Sequence, residues 1–164
     1  MLNFNFYNPT RILFGKDRLE GIDKYVPAEA TVLITYGGGS AKKSGLIDKV
    51  KTVLGKRKIY EFGGIEPTPR YETLVKAVEI VRSKNIDFML AVGGGSVIDG
   101  TKFITLASYY KGDSRDLLKY GFMQNPEYTG HRFRFALDTD SGTDWTVNPV
   151  LSGQRIRFYL DTFL

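Results

Sequence analysis

Twice in this chain an apolar, β-branched run breaks off into three consecutive glycines and a serine. Thr31-Val32-Leu33-Ile34-Thr35-Tyr36 runs into Gly37-Gly38-Gly39-Ser40, and Asp87-Phe88-Met89-Leu90-Ala91-Val92 runs into Gly93-Gly94-Gly95-Ser96. A continuous apolar run of this length is the mark of a strand buried on both faces, which in turn implies a parallel sheet covered by helices. Successive glycines let backbone N–H groups approach an anion without interference from Cβ, and the helix that follows adds unpaired donors and the positive end of its dipole. The pattern therefore constrains both the fold and the ligand: strand, phosphate-cradling loop, helix, repeated.

The residues between and around the two loops complete the alternation. Leu46, Val50, Val53 and Leu54 recur at helical spacing with Gly55 as a left-handed stop, and Lys58 to Phe62 reads as a strand leaving through Gly63-Gly64. Leu74, Val78 and Val81 share a helix face after Pro67-Thr68-Pro69. Strand, helix, strand, helix, strand, helix predicts a Rossmann-like, doubly wound α/β domain with a mainly parallel sheet and its ligand outside the carboxyl ends of the strands. Asn3 to Tyr7 and Arg11 to Gly15, separated by Asn8-Pro9-Thr10, predict an N-terminal β-hairpin. That hairpin is either an edge ribbon over the sheet or a homodimerisation edge. After Ala107 the pattern is irregular: Arg115 to Tyr120 reads as a short helix, and Phe133 to Leu137, Thr146 to Leu151 and Ile156 to Leu160 read as strands. The whole of 1–164 is read as one domain, a length that buries a real core.

Composition excludes several alternatives. Hydrophobic residues are 42% and charged residues 25% of the chain, the balance of a globular protein. The 23 lysines and arginines give a net charge of +5 but are scattered with no run of five, so an anionic small ligand is favoured over nucleic acid. No apolar stretch approaches a membrane span, and Met1 to Phe6 lacks the features of a secretory leader. With no cysteine there is no disulfide frame or thiolate metal site, which fits a cytoplasmic protein.

Neither glycine loop fits G-x-G-x-x-G, because Lys42 and Ile98 occupy the place of the third glycine. At the second loop Ser96 is expected to cap the helix and Asp99 to close a capping box, an account that needs no ligand. At the first loop Lys42 and Lys43 fall in the expected first helical turn, where cations oppose the dipole. An anion seated there would offset the repulsion, although a solvated lysine pair is the simpler alternative. No acid lies within Gly37 to Ser40 to accept a hydrogen bond from a ribose 2′-hydroxyl, which favours NADP over NAD. His131, the one histidine, reads as exposed. Asp138, Asp140 and Asp144 have the spacing of a calcium loop, but the twelfth position holds Pro149 instead of Glu, so a turn explains them.

Four blocks together resemble the iron-containing, or group III, alcohol dehydrogenases, in particular their NADP-dependent butanol dehydrogenase and aldehyde reductase branch. They are Asn3-Phe4-x-Phe6-x-Asn8-Pro9-Thr10-Arg11-Ile12-x-Phe14-Gly15, Tyr36-Gly37-Gly38-Gly39-Ser40-x-Lys42-Lys43-x-Gly45, Phe62-Gly63-Gly64-Ile65-Glu66-Pro67 and Gly93-Gly94-Gly95-Ser96-Val97-x-Asp99-Gly100-Thr101-Lys102. The match is strongest over 3–107. The resemblance implies that Gly94, Gly95, Ser96 and Asp99 hold the coenzyme pyrophosphate and neighbouring ribose, and that Gly38, Gly39, Ser40 and Lys42 receive the 2′-phosphate of NADP. Thr68 stands where relatives commonly carry Asn between two prolines. Asp140-Ser141-Gly142-Thr143-Asp144 is similar to an altered form of a turn on the adenosine side of the coenzyme, which makes Thr139 and Ser141 candidate contacts. Arg155 replaces a lysine that approaches the coenzyme.

Family members continue into a helical domain that supplies one Asp and three His ligands to a divalent metal, iron or zinc. Those positions have no counterpart here. The expectation is an NADP(H)-binding domain of an enzyme acting on a small alcohol or aldehyde, without catalytic residues of its own. The alternative from a different class is a non-catalytic module that binds a phosphorylated ligand or dimerises through its hairpin.

Overall fold

The computed structural model describes Phe14, residues 18–118 and the backbone of residues 133–134 and 156–157. Three strands, β1 (Thr31–Tyr36), β2 (Lys58–Phe62) and β3 (Phe88–Val92), form a parallel sheet in the order β2-β1-β3. Helices α1 (Ser40–Lys43) and α2 (Leu46–Leu54) connect β1 to β2, α3 (Tyr71–Lys84) connects β2 to β3, and α4 (Gly95–Tyr109) follows β3. A 3₁₀ helix over Arg18–Lys24 precedes the sheet, and another over Ser114–Leu118 follows α4, where a short helix was expected from Arg115 to Tyr120. Phe133–Arg134 (β4) and Ile156–Arg157 (β5) pair in parallel, at the start of two of the three late strands expected. The N-terminal hairpin and the strand expected over 146–151 lie outside the described residues.

Alternation along β1 and β3 divides the core into two layers, as a period of two residues requires. Val32, Ile34 and Tyr36 of β1, with Phe88, Leu90 and Val92 of β3, pack against Ile47, Val50 and Leu54 of α2 and against Ile22 of the first 3₁₀ helix. Leu33, Met89 and Ala91 face the other way, against Leu74, Ala77, Val78 and Val81 of α3 and Val97, Ile104 and Ala107 of α4. Each such side chain, fully buried, contributes about 1.5–3 kcal/mol. Gly100 in the middle of α4 is what lets α3 and α4 approach: a Cβ there would stand 3.0 Å from Leu74 Cδ2 and 3.3 Å from Ile65 Cγ2.

Polar anchors fix the helices around this core. Arg57 directs all its guanidinium donors inward, Nε to Pro27 O, Nη1 to Asp23 Oδ1 and Leu54 O, and Nη2 to Asp23 O and Val26 O. It ties the end of α2 to the 3₁₀ segment. Arg82 of α3 donates to the carbonyls of Ala107, Ser108 and Tyr110 at the end of α4, where a helix runs out of its own donors. Helix α3 ends on Asn85 in the left-handed conformation, φ 50°, and the Ile86 amide returns to Val81 O, so the chain turns directly into β3.

The strand order places β1 and β3 on either side of the point where the connections diverge, α2 to one face of the sheet and α3 to the other. Tyr36 is the register partner of Val92. Their successors, Gly37 and Gly93, therefore leave the sheet side by side at the topological switch point, where open α/β sheets bind ligands.

Candidate functional site

Three strand exits converge above the carboxyl edge of the sheet. The β2 exit crosses the end of β1, with the Gly64 amide on Gly37 O at 3.1 Å and the Ile65 amide on Tyr36 O at 3.2 Å. It continues to the start of α4, where Ser96 Oγ donates to Pro67 O. Thr68 is exposed on this segment beside that contact. Gly38, Ser40 and Lys42 are exposed on the β1 exit with Gly39 half-buried, and Gly94, Gly95 and Asp99 are exposed at the β3 exit with Ser96 half-buried. The structure thus brings together nine of the residues singled out from sequence; Thr139, Ser141 and Arg155 lie outside the described residues.

Two expectations are corrected. Ser96 does not cap α4, and no capping box forms with Asp99. The N-cap is Gly94, in an extended conformation with φ −81° and ψ −169°, and no side-chain cap is made. The helix starts one residue before Ser96, so the Ser96 hydroxyl points out of the helix to Pro67 O and Asp99 pairs instead with Lys102 Nζ at 3.1 Å. The first turn of this 15-residue helix contains no acid, and its leading amides have no intrahelical acceptors.

The second correction concerns Lys42 and Lys43. They do not open a long helix: α1 is one turn of four residues, and Gly45, left-handed at φ 73°, separates it from α2. Both lysines stand at the end of that turn, where a dipole so short opposes them little. Any attraction of this loop for an anion rests on exposed lysine charge and loop amides.

The glycines themselves test whether the site fits a phosphate-bearing coenzyme. Gly93 is demanded by the protein, because a Cβ at its φ of +156° would stand 2.7 Å from Val97 Cγ2. Gly38, Gly94 and Gly95 are not. None has a positive φ, and a Cβ on any of them would meet no protein atom within 4 Å. Gly21, in the first 3₁₀ helix, shares that freedom, but the other three face the switch point together. Bare backbone toward open space is the geometry that close approach of a pyrophosphate requires.

Two carboxylates escaped the sequence reading. Glu61 lies near the end of β2, in register with Ile34 of the neighbouring β1. It pairs with Lys51 Nζ of α2 and accepts a hydrogen bond from Tyr36 OH at 3.2 Å. The Lys51 hydrogen bond holds its carboxyl below the usual carboxylate value, and Lys51 is raised in turn by Glu61. Glu66 accepts from Thr73 Oγ1 at 2.7 Å, which with neighbouring backbone amides lowers it too, while its Oε2 is buried without a hydrogen-bond partner. Its place between Ile65 and Pro67 was visible in sequence, but its partner on α3 was not.

A parallel sheet with helices on both faces and open glycine backbone at its switch point is a Rossmann-like α/β domain. The family model of iron-containing alcohol dehydrogenase matches residues 9–152, and the chain belongs to that family. The NADPH-dependent aldehyde reductase YqhD of Escherichia coli is 57% identical over 110 residues, covering 67% of this chain and 28% of that protein. NADP-dependent alcohol dehydrogenase 3 of Entamoeba histolytica is 47% identical over 132 residues, with coverages of 77% and 34%. A probable NADH-dependent butanol dehydrogenase 1 of Bacillus subtilis is 46% identical over 121 residues, with coverages of 72% and 31%. The substrate- and cofactor-free structure of E. coli YqhD superposes with a TM-score of 0.70 at 53% identity, covering 73% of this chain and 32% of that one. The chain spans about a third of the length of these relatives. Among the described residues no group of three or more His, Cys, Asp or Glu gathers as a metal site, and no helix is long and apolar enough to cross a membrane.

Proposed function

We propose that this chain is the NADP(H)-binding part of an alcohol dehydrogenase or aldehyde reductase that acts on a small alcohol or aldehyde. The observation that carries the reading is the open backbone of Gly38, Gly94 and Gly95, three glycines at the switch point that neither dihedral angle nor packing demands. The amides at the start of α4, at Gly95 and Ser96, receive the pyrophosphate, with Asp99 one turn further on at the ribose. Gly38, Gly39 and Ser40 receive the adenosine 2′-phosphate, and Lys42 supplies positive charge beside it. Thr68 borders the coenzyme from the β2 exit. Thr139, Ser141 and Arg155 join the set on family likeness alone.

A nicotinamide coenzyme supplies the hydride exchanged with an alcohol or aldehyde carbon, and the chain's contribution is to bind and orient it. The described residues gather no ligands for a divalent metal.

Relatives differ in the coenzyme their names carry, NADPH or NADP in two and NADH in another. Support for NADP here comes from Ser40 in place of an acid and from the lysines that follow it. Fluorescence titration with NADPH and NADH tests the reading, and neither binding at millimolar concentration would refute it. Ser40→Asp is expected to weaken NADPH by about tenfold more than NADH, through repulsion of the 2′-phosphate. Equal losses for both coenzymes would place the 2′-phosphate elsewhere.

A further inference from the structure

The 2′-phosphate of NADP carries close to two negative charges, so a carboxylate near the loop that receives it repels it. Glu61, near the end of β2, is joined through Tyr36 to the foot of the Gly37–Ser40 loop, and both of its oxygens are engaged within the protein. Lys51 of α2 takes Oε1, and the Tyr36 hydroxyl takes Oε2. The pair is partly exposed, with 36% of the Lys51 side chain and 27% of the Glu61 side chain accessible. Tyr36 immediately precedes Gly37, and its ring lies so close over Gly63 that any Cβ there would overlap it. The carboxylate is thereby fixed at the foot of the Gly37–Ser40 loop.

We infer that the Lys51–Glu61 pair, held by Tyr36, sets coenzyme preference by cancelling the charge of the β2 carboxylate beside the first glycine loop, which admits a 2′-phosphate at Ser40. Lys51 and Tyr36 are positioning residues in this scheme, and Glu61 is a specificity residue that acts by being occupied. The inference rests on the coenzyme reading above. Lys42 lies near enough for its charge to lower Glu61 further, so the 2′-phosphate approaches two lysines and one neutralised acid.

Lys51→Gln releases the carboxylate. Adenosine 2′,5′-bisphosphate against adenosine 5′-monophosphate isolates the relevant end of the coenzyme, and NADPH against NADH repeats the comparison with the whole ligand. The expected result for Lys51→Gln is a fall of about tenfold in the ratio of affinities, shrinking as salt is raised. Glu61→Gln is expected to raise the ratio, Lys51→Arg to keep it, and the double variant Lys51→Gln/Glu61→Gln to return it close to the starting value. A double variant as poor as Lys51→Gln alone would overturn the inference, because Lys51 would then be a direct phosphate ligand. An unmoved ratio in Lys51→Gln and Glu61→Gln, with both nucleotides still binding, overturns it and leaves the coenzyme reading intact. If no nucleotide binds even the unaltered chain, both fall. Should Lys51→Gln fail to fold, the Glu61→Gln ratio decides alone: a rise supports the inference and no change refutes it.

Discussion

Replacing Gly95 with alanine separates what the fold requires of the second glycine loop from what a ligand requires. Gly95 is the first residue of α4, its φ is not positive, and an added Cβ would meet no protein atom within 4 Å. Alanine should therefore stabilise the protein by about 0.4–1 kcal/mol, by restricting the unfolded chain and favouring the helix. In a chain of this size that raises the melting temperature by roughly 1–4 °C. The same methyl group stands where the pyrophosphate should approach the α4 amides. Pushing an anion away from charge-assisted hydrogen bonds at a helix start should weaken NADPH by about tenfold or more. Gly93→Ala is the opposite control, because the positive φ of +156° and the 2.7 Å approach to Val97 Cγ2 strain the fold itself. It should cost about 1–3 kcal/mol. Thermal denaturation gives the first quantity and NADPH fluorescence titration the second. A Gly95→Ala protein that is more stable and binds NADPH as well as before would refute the assignment of the pyrophosphate to this loop. A Gly95→Ala protein less stable than the original would show that the space before Gly95 is not open.

Thr101→Val should cost about 1–2 kcal/mol in denaturant unfolding. It deprives the buried Thr35 hydroxyl of the Thr101 oxygen at 2.6 Å and leaves it only Leu90 O at 3.4 Å. Adding Thr35→Val should recover part of the loss, and strict additivity would show that the two hydroxyls are not coupled. Arg57→Ala removes the guanidinium donors from the carbonyls of Pro27, Val26 and Leu54, of which Pro27 O keeps the Ala30 amide at 3.1 Å and Leu54 O the residue-57 amide at 3.5 Å; it should cost about 1–3 kcal/mol, and a loss under about 0.5 kcal/mol would show that the clasp adds nothing to stability. Because the folded-state pKa of Glu61 is lowered from its ordinary 4.5, its contribution to stability is present above that value and is lost as pH falls through the folded pKa. Glu61→Gln should therefore flatten the acid limb of the stability profile, and an unchanged limb would rule out this linkage.

The parts of the fold written in local pattern were legible from sequence. β1 and β2 were read with the bounds observed, and α2 with its glycine stop, because continuous apolar runs and 3.6-residue spacing are decided by neighbours in the chain. The side-by-side exit of Gly37 and Gly93 from the sheet was also readable, since strand exits of a doubly wound sheet share an edge. What was misread depends on contacts across the fold. The choice of Gly94 over Ser96 as the cap follows from the β2 exit, which brings Pro67 O to the Ser96 hydroxyl. The helical turn expected at Lys42 and Lys43 is a separate one-turn α1, because Gly45 in the left-handed conformation breaks the chain before α2. Glu61 went unnoticed because its partners, Lys51 on α2 and Tyr36 on β1, become neighbours only once β2 lies beside β1.

The clasp of Arg82 on the last carbonyls of α4 has a consequence for how a ligand is received. The far end of α4 is tethered to α3, its near end to the β2 exit through Ser96 and Pro67, and its middle to β1 through Thr101 and Thr35. A helix pinned at three stations cannot slide or tilt to meet a nucleotide, so its leading amides are aimed before anything arrives. Little ordering entropy is then lost on docking. On the coenzyme reading proposed above, selection among nucleotides falls to the first loop and its neighbouring charges.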